Sequence, residues 1–224
     1  MPPAALLSPT ELDDVNAELE HAPASHIVAW AVERIGVDDL CIASSMADTV
    51  ALSIALDVAP TLEVVFLDTQ YHFAETWATV AAMKVRHPGL RLRVMEPAVA
   101  PDERWRTDLE GCCAVRKVEP LERALAGKRG WFTGVRRVDA TTRIDAPVVT
   151  IDKRGLVKVN PLATWTDDDV ASYAADHGVP LHPLLAQGYP SIGCWPCTRK
   201  PAEGEDPRAG RWAGSGKVEC GLHV

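Results

Sequence analysis

Basic residues are scarce in the first third of this chain, and long apolar runs are absent throughout. The chain has 224 residues and a formal net charge of −8, and residues 1–80 contain one basic residue, Arg34, against thirteen acidic ones. A protein that binds duplex nucleic acid needs a basic surface, so the negative net charge argues against nucleic acid as a partner. Residues 81–224 carry 22 basic and 18 acidic side chains. An anionic ligand is therefore expected to bind through the second half.

No stretch approaches the roughly 18–20 apolar residues of a membrane span. The first residues also lack the basic start of a signal peptide. We therefore expect a cytoplasmic protein with no membrane contact. A content of 47% apolar and 24% charged residues is ordinary for a globular protein. The length predicts a single domain over residues 1–212 and a flexible tail over residues 213–224.

Apolar runs and helical patterns alternate along the first half of the chain. Strands are predicted at 40–43, 62–67 and 90–95, with helices at 50–58 and 72–86 between them. This alternation predicts an α/β fold with a doubly wound, mostly parallel sheet flanked by helices. The later predicted elements are a helix at 119–126, a strand at 131–135, a hairpin over 147–152 and 156–159, and a helix that begins after Thr166.

A polar loop follows the first predicted strand and opens the next helix. It reads Ser-Ser-Met-Ala-Asp-Thr over residues 44–49 and contains no glycine, so it is neither a Walker loop nor a dinucleotide fingerprint. The hydroxyls of Ser44 and Ser45, with the free N–H groups of a helix start, are suited to hold an anion. The alternative is that the two serines only cap the helix.

Four of the six cysteines fall into two pairs beside basic residues. Cys112 and Cys113 precede Arg116-Lys117, and the Cys194-x-x-Cys197 pair precedes Arg199-Lys200. In a reducing compartment such pairs are metal ligands more often than disulfides. Adjacent cysteines suit one tetrahedral zinc ion poorly, whereas an iron–sulfur cubane offers separate corners. An iron–sulfur cluster, a zinc site and unliganded core thiols all stay open at this point.

The remaining two cysteines differ from each other in their surroundings. Cys41 lies in a predicted core strand, whereas Cys220 sits beside glycine in the predicted tail. The position of Cys220 is suited to a nucleophile on a closing segment. Because no spare thiol is left near it, a sulfur adduct on Cys220 would have to be released by an external dithiol.

Arginines accumulate after the predicted strand at 131–135 and again over residues 204–212. The first group contains Arg136, Arg137 and Arg143, and the second contains Arg208 and Arg211. Arginines in loops near a strand end are suited to bidentate recognition of phosphate or sulfate.

Together these segments resemble the phosphoadenylyl/adenylyl-sulfate reductase family, and most closely its bacterial assimilatory iron–sulfur adenylyl-sulfate (APS) reductases. The resemblance covers nearly the whole chain from about residue 25. It is carried by the 44–49 loop, LDTQYHFAET at 67–76, CCAVRK at 112–117, GVRR at 134–137, KVNPLATWTDDDV at 158–170, IGCWPCTRK at 192–200, GEDPRAGRW at 204–212 and ECGLH at 219–223.

The resemblance implies an adenine-nucleotide α-hydrolase-like fold and reduction of APS to sulfite and AMP in sulfate assimilation. It implies that Cys220 attacks the sulfur of APS to form an S-sulfocysteine, which thioredoxin then cleaves. It implies a [4Fe–4S] cluster on Cys112, Cys113, Cys194 and Cys197. The implied substrate contacts are Ser44, Ser45, Lys117, Arg143, Arg208, Arg211 and His223.

Two other functions stay open. A reductase of the 3′-phosphorylated nucleotide PAPS is the nearer one, although the resemblance implies that this branch typically lacks the cluster cysteines. The other is a non-catalytic, metal-stabilised nucleotide-binding module, which would have no use for the ECGLH segment. The sequence also leaves open whether the protein is a homo-oligomer.

Overall fold

The computed structural model describes residues 6–222, which contain one six-stranded sheet. The strands are β1 (Cys41–Ser44), β2 (Glu63–Leu67), β3 (Arg91–Met95), β4 (Gly130–Phe132), β5 (Val149–Ile151) and β6 (Val157–Val159). Their order across the sheet is β3-β2-β1-β4-β6-β5. All neighbours are parallel except β5 and β6, which form the predicted hairpin. The predicted doubly wound, mostly parallel sheet is confirmed.

Helices cover both faces of this sheet. In the described residues they are α1 (Pro9–Leu19), α2 (Ala24–Ile35), α3 (Val50–Val58), α4 (Ala74–Arg86), α5 (Arg104–Thr107), α6 (Leu109–Cys113), α7 (Glu119–Leu125), α8 (Asp167–His177) and α9 (Pro183–Ala186). A π-helical turn, Ala114–Val118, joins α6 to α7. None of these helices is long and apolar enough to cross a membrane.

Local sequence signals account for several helix ends. Ser8 caps α1 and Thr166 caps α8, each in a reciprocal capping box with the glutamate or aspartate three residues later. Helix α3 is apolar on nearly all sides, and residues 50–56 are buried. It is enclosed because it packs between β1, α2 and α8.

The parallel strands deliver their following loops to one edge of the sheet. Strand β1 lies in the middle, with Ser44 opposite Phe66 of β2 and with Ile42 opposite Phe132 of β4. In open α/β sheets the ligand crevice lies at the carboxyl ends of the strands, where the order of connections reverses. The 44–49 loop and the chain after β4 meet there.

Two elements differ from the sequence prediction. The segment around the first cysteine pair, where the sequence shows no clear helical period, forms α6 and the π-turn. Its buried side chains are cysteines and the cations Arg116 and Lys117, so it lacks the apolar stripe by which a helix is found. Strand β4 also ends at Phe132, earlier than predicted, because the chain turns into the cleft at Gly134.

Candidate functional site

A cleft of about 670 Å³ opens at the carboxyl edge of the sheet. Its floor includes the loop after β1, the end of β2 at Leu67 and the chain after β4. All but one of the substrate contacts expected from sequence line this single cleft, namely Ser44, Ser45, Lys117, Arg143, Arg208 and Arg211. Cys220 lines it as well. His223 lies outside the described residues, so its expected contact stays a prediction.

The serines of the 44–49 loop stabilise the loop itself. Ser44 Oγ accepts a hydrogen bond from the Met46 N–H at 3.1 Å, and Ser45 Oγ accepts one from the Ala47 N–H at 3.4 Å. Neither serine caps α3: the N-cap residue is Thr49, no side chain bonds to the cap position, and the Val50 N–H donates to Asp48 Oδ1 at 2.9 Å. Met46 has a φ of 60°, a left-handed conformation that glycine adopts in related loop types. The Ser44 hydroxyl donates in turn to Met46 Sδ at 3.8 Å, so the loop is held in shape by its own side chains.

The four paired cysteines line one small cavity that adjoins the cleft. Cys112 and Cys113 lie on the last turn of α6, and Cys194 and Cys197 flank a short 3₁₀ turn. Cys194 also faces the cleft, where its thiol donates to Thr69 Oγ1 at 3.3 Å. The fold thus brings together two cysteine pairs that are about eighty residues apart in sequence.

The donor set at this cavity fits an all-thiolate metal group. Burial raises the pKa of Cys112 and Cys113, and burial together with the charge on Cys194 raises that of Cys197 to about 11. A bound metal reverses this preference, because a coordinating thiol is deprotonated. In residues 6–222 no three metal-binding side chains are arranged around a single ion.

The two adjacent cations beside the cysteines, Arg116 and Lys117, have different surroundings. Arg116 is bonded to the loops around it. Its side chain is 1% exposed, and it donates to Gln70 Oε1 at 2.6 Å and to the Ala100 carbonyl at 2.7 Å. It also pairs with Asp102 at 3.2 Å and lies over the Tyr71 ring. These contacts join the π-turn to the loops that precede α4 and α5.

Lys117, in contrast, faces both the cleft and the cysteine cavity. In the part of the chain that the structure describes, its ammonium group makes no hydrogen bond or ion pair, and its one aromatic contact is the Trp212 ring at 6.0 Å. Burial alone would lower the pKa of Lys117, but the neighbouring sulfurs of Cys194, Cys220 and Cys113 raise it. Lys117 is therefore a charged donor that is free to bind a ligand.

The arginines expected near the cleft differ in where their side chains are held. Arg211 donates to Ser191 Oγ and to the Ile192 carbonyl, both at 3.3 Å, and its guanidinium stacks on Trp212. Burial, followed by the charge of Arg208, lowers the pKa of Arg211. Arg137 points away from the cleft and pairs with Glu20 on α1.

The segment over residues 213–222 contributes Glu219, Cys220 and Leu222 to the lining of the cleft. Cys220 is partly exposed. Lys217 forms an ion pair with Glu110 on α6, and Leu222 packs against the apolar residues between the sheet and α7. Glu219, whose charge next to Cys220 was expected from the sequence only to oppose a thiolate there, contacts Arg143 and Arg208. In the sequence, the feature that points to Glu219 as a site residue is its position directly before Cys220.

Comparison with known proteins identifies the family. A model of the phosphoadenosine phosphosulfate reductase domain matches residues 40–200, which include the sheet, the loop after β1 and all four paired cysteines. The chain belongs to this family. The match confirms the family expected from the sequence motifs.

Curated relatives of this reductase-domain chain are similar over nearly their whole length. An adenosine 5'-phosphosulfate reductase of Streptomyces coelicolor is 49% identical, with 92% of this chain and 90% of that protein covered. A protein of the same name from Rhodococcus opacus is 44% identical, with 93% and 91% covered.

Solved structures agree with the fold. The phosphoadenylyl-sulfate (PAPS) reductase of Candida auris is 26% identical, with a TM-score of 0.75 and coverage of 84% of this chain and 96% of that one. The FMN adenylyltransferase of Candida glabrata is 11% identical, with a TM-score of 0.58 and coverage of 87% and 68%. The second likeness shows the fold alone. The adenine-nucleotide α-hydrolase-like fold is thereby confirmed.

Proposed function

We propose that this protein reduces adenylyl sulfate to sulfite and AMP, with electrons from thioredoxin. The observation that carries the proposal is the convergence of Cys220, Lys117 and the arginines Arg208 and Arg211 on one nucleotide-sized cleft. The curated relatives named adenosine 5'-phosphosulfate reductase support the choice of substrate. We expect a cytoplasmic enzyme, whose homo-oligomeric state stays open.

The charge distribution in the cleft orients the substrate. The nucleoside lies along the loop after β1 and the end of β2, with Ser44 and Ser45 at its side. The phosphosulfate lies at the other end, where Lys117, Arg208 and Arg211 supply positive charge next to Cys220. Guanidinium groups bind phosphate and sulfate oxygens in pairs, which fixes the sulfur atom relative to the thiolate.

The reaction uses Cys220 as a nucleophile. Its thiolate attacks the sulfur of the sulfate group, an S–S bond forms, and the bond from sulfur to the bridging oxygen breaks. AMP leaves with the electron pair, while the enzyme keeps an S-sulfonate on Cys220. Lys117 and Arg211 stabilise the negative charge that develops on the leaving phosphate and on the sulfonate oxygens.

Release of sulfite requires a dithiol from outside. A thioredoxin thiolate attacks Sγ of Cys220, sulfite leaves with the electron pair of the S–S bond, and the mixed disulfide is resolved by the second thioredoxin thiol. The sulfur of sulfate is reduced by two electrons, and thioredoxin is oxidised to its disulfide. The position of Cys220 on a segment at the cleft surface gives a partner access to it.

Cys112, Cys113, Cys194 and Cys197 would hold a [4Fe–4S] cluster. The cluster would supply a fixed local charge near the substrate and a crosslink between α6 and the 194–197 turn. Arg116 and Lys117 offset negative charge at this cavity, since both are buried beside the thiols. With Cys194 as a thiolate ligand, the Thr69 hydroxyl 3.3 Å from its Sγ would donate to it and orient it.

An anaerobic preparation, assayed for sulfite with reduced thioredoxin, tests the function. We expect activity with APS and much less with PAPS, together with bound iron. Cys220→Ser should abolish both sulfite and the S-sulfonate adduct but keep the iron and the APS binding. Cys41→Ala, a substitution of the buried thiol in β1, serves as the matched control.

Three results would contradict parts of this proposal. Sulfite formation by Cys220→Ser would remove the nucleophile. A fully active, iron-free protein would remove the cluster. Equal turnover of PAPS would assign the protein to the other substrate class, and nucleotide binding without any sulfite would leave a non-catalytic module.

A further inference from the structure

Glu219 occupies the cations that the proposed substrate needs. Arg143 donates to both of its carboxylate oxygens, from Nε and Nη2, at 2.8 Å each. Thr142 Oγ1 donates to the same carboxylate at 3.0 Å, and Arg208 Nη2 lies 3.6 Å from it. The side chains of Arg143 and Glu219 are 14% and 11% exposed, so this pair is largely withdrawn from solvent.

This contact has the geometry that arginine uses for phosphate and sulfate. A planar guanidinium binds a carboxylate or an oxyanion through the same two parallel N–H donors. A phosphosulfate at Arg143 would therefore need the donors that Glu219 now holds. The Glu219 carboxylate and a phosphosulfate cannot both accept hydrogen bonds from the same N–H donors of Arg143. Their like charges would also repel each other at this distance.

A second ion pair holds the same segment without using these arginines. Lys217 pairs with Glu110 on α6, and the Lys217 side chain is 5% exposed. The segment is thus held at the substrate site, where Arg208 Nη2 also donates to the Val218 carbonyl at 3.0 Å, and away from it, through Lys217 and the packing of Leu222. Release of Glu219 from Arg143 leaves the ion pair of Lys217 intact, so Cys220 stays near the cleft.

We propose that Glu219 is an internal competitor of the sulfonucleotide for Arg143 and Arg208, displaced when the substrate binds. This inference rests on the proposed function, because it assumes that a sulfonucleotide occupies the cleft. Arg143 also pairs with Asp139 at 3.4 Å, and exchange of one bound anion for another keeps the remaining donors of both arginines occupied. The measured affinity for the substrate is then lower, because only the molecules in which Glu219 has left Arg143 can bind it.

Equilibrium binding of APS, measured by calorimetry in a Cys220→Ser background that prevents reaction, tests the inference. Glu219→Gln keeps the size of the side chain and removes its charge. We expect this variant to bind APS at least about fivefold more tightly, because the competing anion is gone.

Two controls separate competition from other effects. Glu110→Gln breaks the outer ion pair with Lys217 and loosens the segment without freeing the arginines. Glu203→Gln removes one charge from an exposed position of the neighbouring loop. Both should leave the affinity for APS unchanged within about twofold.

The outcomes are distinct. Tighter binding in Glu219→Gln alone supports competition. Unchanged or weaker binding in that variant, while every variant binds APS, overturns the inference and makes Glu219 an anchor of the closed segment. Absence of APS binding in all variants, including Cys220→Ser alone, counts against the proposed function itself.

Discussion

Lys117 is the group whose removal most directly tests the charge argument for the cleft. It faces the cleft, is 9% exposed and, within residues 6–222, has no hydrogen-bond or ion-pair partner that its loss would leave unpaired. Lys117→Met keeps most of the side-chain volume and deletes the ammonium group. The variant therefore separates an effect on catalysis from an effect on folding.

The size of the effect follows from the burial of Lys117. A unit charge about 4 Å from the ammonium interacts with it by about 4 kcal/mol at an effective dielectric constant of about 20. The charge that develops on the reacting groups is less than one unit, which reduces the expected loss to about 2–3 kcal/mol. This corresponds to a loss of roughly 30- to 150-fold in kcat/KM.

Sulfite formation at varied APS, with reduced thioredoxin in excess, measures the loss. Urea unfolding of the same variant should show a change of less than about 1 kcal/mol, because no hydrogen bond is removed. Lys153→Met, at an exposed position of the β5–β6 turn, should leave both quantities unchanged. A loss of less than threefold in Lys117→Met would refute the assigned role.

Three further predictions concern stability and pH. Arg116→Met should destabilise the fold by about 2–4 kcal/mol in urea unfolding, because Gln70 and Asp102 lose a buried partner. Thr166→Ala should cost about 1 kcal/mol in the same assay, because the capping box of α8 is lost. Burial alone would raise the pKa of Glu219, but Arg143 holds it below its ordinary value of 4.5. The attachment of Glu219 should therefore be complete above about pH 4.5 and be lost as the pH falls through the lowered pKa. Amide hydrogen exchange of residues 213–222 should rise at that step in the parent protein and show no such step in Glu219→Gln.

Much of the fold could be predicted from local sequence, because its central elements carry strong local signals. Helix α3 begins and ends at the predicted residues, and β1, β2 and β3 agree within one residue. These segments are buried apolar runs bounded by polar loops, so period and length identify them. The pattern is weaker around α6 and the π-turn, where the buried face consists of thiols and cations.

The sequence by itself determined the chemical inventory of this protein: two cysteine pairs, an isolated cysteine beside glycine, and arginines concentrated in the second half. These features are local, and each residue type limits the chemistry it can perform. The sequence motifs also predicted the family to which the chain belongs, and the domain match confirms that prediction.

The tertiary structure decided how two neighbouring cations, and two acids far apart in the sequence, are used. Arg116 and Lys117 are adjacent in sequence, yet Arg116 is held by Gln70 and Asp102 whereas Lys117 faces the cleft. Asp48, and neither serine, accepts the N–H of Val50 at the start of α3, and Glu219 holds Arg143, 76 positions earlier in the chain. Such assignments depend on which partner the folded chain places within hydrogen-bond distance, and the spacing of residues along one chain does not contain that distance.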